Sequence, residues 1–141
     1  MRIMGIDVGD ARTGVAISDL LCSIVGSAVV VPSRRKDLAI QDIVKLAKEN
    51  EVGQIVVGLP RNMDGSEGFK AQACREFAEL LREASGLPVD MWDERLTTVQ
   101  SHNILSAHNY HGDKRKNTVD AVAASLILEG YLDHRNKNKS L

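Results

Sequence analysis

Four carboxylates in this chain lie at positions where acidic side chains could bind a metal ion. Asp7 closes an apolar run at the start of the chain and is followed at once by Gly9. Asp93 and Glu94 come directly after a later apolar segment, and Asp120 lies in a run of small and aliphatic residues near the end. A carboxylate in apolar surroundings loses solvation energy unless a cation compensates its charge.

The chemistry that such carboxylates favour is hydrolysis at phosphate. Converging carboxylates repel one another, and a hard divalent cation removes that conflict. Mg²⁺ prefers oxygen ligands, keeps several waters and binds through a few carboxylates together with substrate phosphate. Two such ions about 4 Å apart activate a water on one side of a phosphodiester and stabilise the leaving oxygen on the other. The residue types therefore favour metal-assisted cleavage of a phosphodiester.

Hydrophobic patterning predicts the strands that must position these carboxylates. Apolar runs bounded by glycine, proline and polar turn residues predict five strands. They lie at 3–8, 14–19, 24–31, 54–57 and 87–92. The first three are separated by short turns and predict an antiparallel meander, with Pro32 ending the third strand.

Helical spacing of apolar residues predicts four helices around these strands. The first begins at Asp37 and stops at Gly53, the second ends at Gly86, the third runs over 97–108, and the last begins at the cap signal Asn117-Thr118. The order of elements predicts an α/β fold, a mixed five-stranded sheet flanked by helices. Its later strands are parallel because crossover helices join them.

This arrangement indicates how distant carboxylates could meet. Ligand sites in open α/β sheets lie beyond the carboxyl ends of parallel strands, so Asp7 and the acidic pair at 93–94 share an edge if their strands are neighbours. Asp120 would sit in the first turn of the final helix, where Ala121, Ala123 and Ala124 allow close approach to the sheet. The alternative for Asp120 is that it only complements the helix dipole, worth about 0.3–1 kcal/mol.

Length and composition favour one domain. The chain has 141 residues, 43% of them hydrophobic, which suffices for a single sizeable core. Cys22 and Cys74 show no metal-binding spacing and are expected to be buried reduced thiols. Neither a signal peptide nor an apolar run of roughly 20 residues is found, which predicts a cytoplasmic protein with no membrane partner. The four histidines form no close ligand set for zinc.

The net charge of −1 limits any nucleic-acid surface to a local patch. The candidate patches are the basic clusters at 34–36 and 114–116 and the polar end of the chain. Each of them is also compatible with an ordinary solvated surface.

Four motifs in this order resemble the YqgF/RuvX family. They are GIDVG with GVAIS at 5–18, VGLP with NMDGSEG at 57–68, DERLTT at 93–98, and VDAVAA at 119–124. The resemblance implies an RNase H-like fold related to the Holliday-junction resolvase RuvC, with one nuclease domain at 1–135 and a polar tail at 136–141. It implies a Mg²⁺- or Mn²⁺-dependent endonuclease that processes the 5′ end of precursor 16S rRNA, or alternatively a resolvase acting on four-way DNA.

The resemblance also implies the site residues. Asp7, Glu94 and Asp120 match the positions of the catalytic metal ligands. Asp93 is the alternate to Glu94, because successive residues of an extended chain point to opposite faces. A RuvC-type final helix often carries a second acidic residue, but the position three after Asp120 is Ala123.

Four residues near these motifs are candidates for binding substrate. Arg12 lies in the turn after Asp7, Arg61 and Asn62 begin a polar loop that could cover substrate, and Arg95 follows the acidic pair. The plainer alternatives are a solvated Arg12, an ordinary surface turn at 61–68, and an Arg95 that neutralises Asp93.

Two other functional classes remain open at this point. A nucleic-acid-binding module that has lost cleavage would keep the fold, but the presence of all three carboxylates argues against it. An actin-like ATPase module has a similar opening motif, yet that class needs two domains. The expected partner is nucleic acid, either structured RNA such as pre-16S rRNA in ribosomal precursors or branched DNA, bound by a monomer or a homodimer.

Overall fold

The computed structural model describes residues 1–96 and 112–139, and within them it shows one five-stranded mixed sheet. The strands are β1 (Arg2–Asp7), β2 (Arg12–Ser18), β3 (Val25–Pro32), β4 (Val52–Leu59) and β5 (Val89–Asp93). The helices are α1 (Lys36–Glu49), α2 (Phe69–Ser85), a short 3-10 helix (Glu94–Leu96) and α3 (Gly112–Lys139). The predicted α/β class is confirmed, and the helix predicted over 97–108 lies outside the described residues.

The strand order is β3-β2-β1-β4-β5. Strand β1 pairs antiparallel with β2 and parallel with β4, and β4 pairs parallel with β5. The carboxyl ends of β1, β4 and β5 therefore lie along one edge, as expected. Strands β1 and β5 are not neighbours, however, because β4 lies between them.

Helices cover both faces of the sheet. Met4 and Ile6 of β1 point to the face packed by α1 and α2, whereas Ile3 points to the face packed by α3. This alternation follows from the two-residue period of a strand. Each fully buried aliphatic side chain of these two layers contributes about 1.5–3 kcal/mol, so the sheet and the residues at its edge are held rigidly.

Helix α3 lies unusually close to the sheet because small residues line the contact. An added Cβ at Gly5 would lie 2.7 Å from Cβ of Leu128, and one at Gly14 would lie 2.1 Å from the backbone oxygen of Asp120. Ala124 is fully buried in this contact, as the sequence predicted.

The start of α3 corrects the sequence prediction. The helix begins at Gly112 rather than at the cap signal Asn117-Thr118, because the charged residues before that signal are themselves good helix formers and continue the helix. Asp120 therefore lies eight residues into α3 rather than in its first turn. The helix-dipole interpretation is wrong, because free backbone N–H groups occur only in the first turn.

Two strand boundaries differ from the predicted ones because neighbouring strands pair beyond the apolar runs. Strand β2 begins at Arg12, which pairs with Pro32 of β3, so Arg12 belongs to a strand and not to the preceding turn. Strand β4 continues past the predicted end at 57 through Gly58 and Leu59, because β5 extends its ladder. Gly86 ends α2 in the left-handed conformation with φ 72°, as predicted.

Two smaller predictions concern burial and membranes. Cys22 and Cys74 are both buried free thiols, which confirms the prediction. No helix in the described part of the chain is long and apolar enough to cross a bilayer.

Candidate active site

Asp7 and Glu94 meet across the central strand. Asp7 ends β1 and Glu94 opens the 3-10 helix after β5, so a full strand, β4, separates them. The gap is bridged at Gly58, where an added Cβ would lie 2.6 Å from Oε1 of Glu94. Because Gly58 has no side chain, the Glu94 carboxylate lies over β4 and close enough to Asp7 for each carboxyl group to shift the pKa of the other.

The electrostatics of this pair favour a bound cation. Burial, reinforced by the charges of Glu94 and Asp120, raises the pKa of Asp7 from 3.8 to about 7. Burial also raises the pKa of Glu94, with a further contribution from Asp93. Near neutral pH two adjoining half-buried carboxyl groups either share a proton or need a positive charge beside them.

Asp120 lies near this pair but makes a different contact. Nε of Arg12 donates to Oδ2 of Asp120 at 3.1 Å, with side-chain exposures of 37% and 25%. The charge of Asp120 still contributes to the raised pKa of Asp7. Within residues 1–96 and 112–139, no three His, Cys, Asp or Glu side chains form a metal-binding group. The structure thus brings Asp7 and Glu94 together, whereas Asp120, the third predicted ligand, is paired with Arg12.

Asp93 faces away from the pair. Its carboxylate accepts hydrogen bonds from the guanidinium of Arg95, the shortest at 2.7 Å, and from the backbone N–H of the same residue. These bonds to Arg95 hold the pKa of Asp93 below its usual value. Arg95 therefore neutralises Asp93, which is the plainer of its two predicted roles.

The loop at 61–68, which the sequence predicts as a flap or a surface turn, is held by hydrogen bonds and ion pairs of its own residues. Asn62 donates to Oγ of Ser66 at 3.0 Å, and its backbone N–H bonds to the Ser66 carbonyl. Arg61 approaches Glu67 at 3.5 Å, and Glu67 is also held by Arg75 at 2.6 Å. Of the four predicted substrate-binding residues, Arg12 contacts Asp120 and Arg95 contacts Asp93, whereas Arg61 and Asn62 contact residues of their own loop.

Two residues that shape the site were not predicted. The charge of Lys70, in the first turn of α2, opposes the raised pKa of both Asp7 and Glu94. Gly58 provides the space for Glu94. The VGLP motif contained Gly58, but only the pairing of β4 with β5 shows what it does, and nothing in the sequence pattern places Lys70 near Asp7.

The donor set fits a hard divalent cation. Asp7 and Glu94 present carboxylate oxygens at one edge of the sheet, their mutual contact is unfavourable when both are ionised, and the negative charge of Asp120 also acts on Asp7. Oxygen donors of this kind are the ligands that Mg²⁺ and Mn²⁺ take.

The fold defines the class of protein. The solved structure of T. thermophilus RuvC in complex with a Holliday junction substrate matches 95% of this chain and 96% of its own, with a TM-score of 0.61 at 13% identity. At that identity the likeness shows the fold, which is RuvC-like and of the RNase H type. The predicted fold is therefore confirmed.

Sequence comparison gives the particular family. The family model described as "RuvX: Holliday junction resolvase" matches residues 1–134. A protein named "Putative pre-16S rRNA nuclease" from Halothermothrix orenii is 44% identical to this chain, and the alignment covers 97% of this chain and 98% of that protein. A protein of the same name from Thermoanaerobacter pseudethanolicus is 46% identical, and the alignment covers 99% of this chain and 100% of that protein. The chain belongs to the RuvX family, a family of hydrolytic nucleases.

Proposed function

We propose that this chain is a divalent-metal-dependent endonuclease that cuts precursor 16S rRNA at its 5′ end. The observation that carries the proposal is the half-buried Asp7–Glu94 pair, which lies over Gly58 at the edge where the parallel strands end. The names of the relatives support the RNA substrate. Such a substrate implies a cytoplasmic location, and trimming one RNA end requires no more than a monomer.

In this proposal Asp7 and Glu94 hold Mg²⁺ or Mn²⁺, and Asp120 completes the set. When bound, the cation supplies an activated water and stabilises the leaving oxygen. The chain's own residues bind and orient the strand. Arg12 contacts a phosphate oxygen beside the carboxylates, and Lys70 attracts the polyanion from the α2 side.

A four-way DNA junction is the second candidate substrate. It is favoured by the description of the family model and by the fold shared with RuvC. Carboxylates at a sheet edge act on the phosphate backbone, which RNA and DNA have in common. Symmetric cutting of a junction would favour a homodimer.

A direct comparison of the two substrates tests the proposal. Purified protein is incubated with a 16S precursor fragment that carries its 5′ leader, or with a four-way DNA junction, in Mg²⁺, Mn²⁺ or EDTA. We expect cleavage of the RNA at the mature 5′ end with either metal and none in EDTA. Preferential cleavage of the junction would favour the second candidate, and cleavage in EDTA would contradict metal dependence. Depletion of the protein in cells should lead to accumulation of unprocessed 16S 5′ ends.

The neighbouring acids Asp93 and Glu94 provide a matched pair of variants. Glu94→Gln should lower kcat by about 100-fold or more because it removes a ligand, whereas Asp93→Asn should lower it by about tenfold or less because Asp93 only anchors Arg95. Single-turnover cleavage of the RNA measures both effects. A larger loss for Asp93→Asn would reverse the assignment of the ligand.

A further inference from the structure

The contact between Arg12 and Asp120 blocks one of the three carboxylates of the site. Nε of Arg12 lies 3.1 Å from Oδ2 of Asp120, so the charge of this carboxylate is balanced by a guanidinium. Arg12 is also the proposed phosphate contact. One side chain thus has two anionic partners, and the Nε–H that binds Asp120 cannot point at a phosphate at the same time.

The two ends of this ion pair differ in their freedom to move. The backbone of Asp120 is pressed against β2, because its carbonyl oxygen occupies the space where a Cβ of Gly14 would lie, and Ala124 one turn later is fully buried. Arg12 has a long side chain that is 37% exposed. If the pair separates, Arg12 is therefore the partner that can rotate toward solvent, because the backbone of Asp120 is held by its packing on β2.

Two other cations near the site, Lys36 and Arg95, are bonded to groups other than Asp7, Glu94 and Asp120, whereas Lys70 acts on Asp7 and Glu94 through its charge. Lys36 donates to the carbonyl oxygen of Gly9 at 2.8 Å, and Arg95 is bonded to Asp93. Movement of Lys36 or Arg95 would not free Asp7, Glu94 or Asp120. Among the described residues, Arg12 is the cation that is hydrogen-bonded to one of these three carboxylates.

We propose that Arg12 exchanges between Asp120 and a phosphate of the substrate strand, so that nucleic acid and the divalent cation bind cooperatively. This inference rests on the proposed function. Without substrate, a cation at Asp7 and Glu94 competes with Arg12 for Asp120. When a phosphate takes Arg12, the freed carboxylate joins the other two, and their combined charge attracts the metal. By linkage, the metal tightens the binding of nucleic acid by the same factor.

A double-mutant cycle in EDTA tests the exchange without cleavage. Wild type, Asp120→Asn, Arg12→Gln and the double variant are titrated with a labelled precursor RNA oligonucleotide. Asp120→Asn should strengthen RNA binding about fivefold or more because it frees Arg12, and should have an effect of about twofold or less in the Arg12→Gln background. Asp7→Asn is the control, because it removes one negative charge without releasing Arg12. Its effect should be equal in both backgrounds.

Metal binding provides the second readout. The Kd of Mn²⁺ is measured by titration with and without an RNA analogue that lacks a cleavable linkage. RNA should tighten Mn²⁺ binding by about fivefold or more in wild type. Arg12→Gln should bind Mn²⁺ more tightly than wild type when RNA is absent and should show no such coupling, whereas Arg12→Lys should retain part of it.

The outcomes separate this inference from the proposed function. An Asp120→Asn effect that is independent of Arg12, or equal metal–RNA coupling in Arg12→Gln, overturns the exchange even if the wild type cleaves RNA. Coupling in a wild type that cuts neither the RNA nor the junction supports the exchange and contradicts the proposed nuclease function. A wild type that binds no RNA overturns both.

Discussion

Asp7→Asn should abolish cleavage and at the same time stabilise the metal-free protein. Asparagine preserves the shape of the side chain and can still donate a hydrogen bond to Glu94, but it no longer offers an anionic metal ligand. We expect a loss of at least about 10³-fold in kcat, which corresponds to about 4 kcal/mol of transition-state stabilisation. Cleavage of precursor RNA at saturating Mg²⁺ measures the loss. A rate close to that of the wild type would remove Asp7 from the site.

The stabilisation follows from the raised pKa of Asp7. With a pKa of about 7 in the fold and 3.8 as its ordinary value, Asp7 keeps a proton in the native state that the unfolded chain has released. Its contribution to stability therefore declines as pH rises from about 4 to about 7 and stays low above that range. Asparagine does not titrate, so the Tm gain of Asp7→Asn in EDTA should be larger at pH 8 than at pH 5.

Added Mn²⁺ and the variant Asp93→Asn serve as two controls for the effect of Asp7→Asn on stability. Mn²⁺ should raise the Tm of wild type at pH 8, because binding to the native state stabilises it, and should raise that of Asp7→Asn much less. Asp93→Asn should give no Tm gain at pH 8, since Arg95 lowers the pKa of Asp93 and stabilises its charge. Equal Tm gains for Asp7→Asn at pH 5 and pH 8 would contradict the raised pKa.

Gly14→Ala should destabilise the fold far more than Gly26→Ala, although each substitution adds a single methyl group. Its Cβ would lie 2.1 Å from the backbone oxygen of Asp120 and 3.1 Å from Cβ of Ala124. Backbone atoms of a packed helix cannot give way locally, so α3 must shift from the sheet. We expect a loss of about 3 kcal/mol or more in the free energy of unfolding, measured by urea denaturation. Because Asp120 moves with the helix, RNA cleavage should fall in the variant molecules that remain folded.

Gly26→Ala is the matched control on the neighbouring strand β3. The nearest atom to its added Cβ lies 3.5 Å away, which is an ordinary van der Waals contact. Neither glycine has a positive φ, so backbone strain does not distinguish the two substitutions, and the added Cβ meets a close neighbour only at buried Gly14. The free energy of unfolding of Gly26→Ala should stay within about 0.5 kcal/mol of wild type. Similar losses for both variants would show that α3 does not pack on Gly14 as described.

Local pattern predicted much of the scaffold. Apolar runs predicted five strands, and the position of Asp7 at the end of the first strand follows from that run alone. Gly86 predicted the end of α2 correctly, because a left-handed cap depends on one residue and its immediate neighbours. The cap signal at Asn117-Thr118 failed for a related reason. A cap is worth only about 1 kcal/mol, and the residues before it could continue the helix.

The sequence by itself determined which residue types could bind a metal and on which elements they lie, since both depend on neighbours along the chain. Only the tertiary structure decided that Glu94 rather than Asp93 faces Asp7, that Gly58 of the intervening strand leaves room for it, and that Arg12 holds Asp120. These contacts join residues as many as 108 positions apart. They depend on strand order and on the close approach of α3, which no local pattern of hydrophobicity or charge specifies.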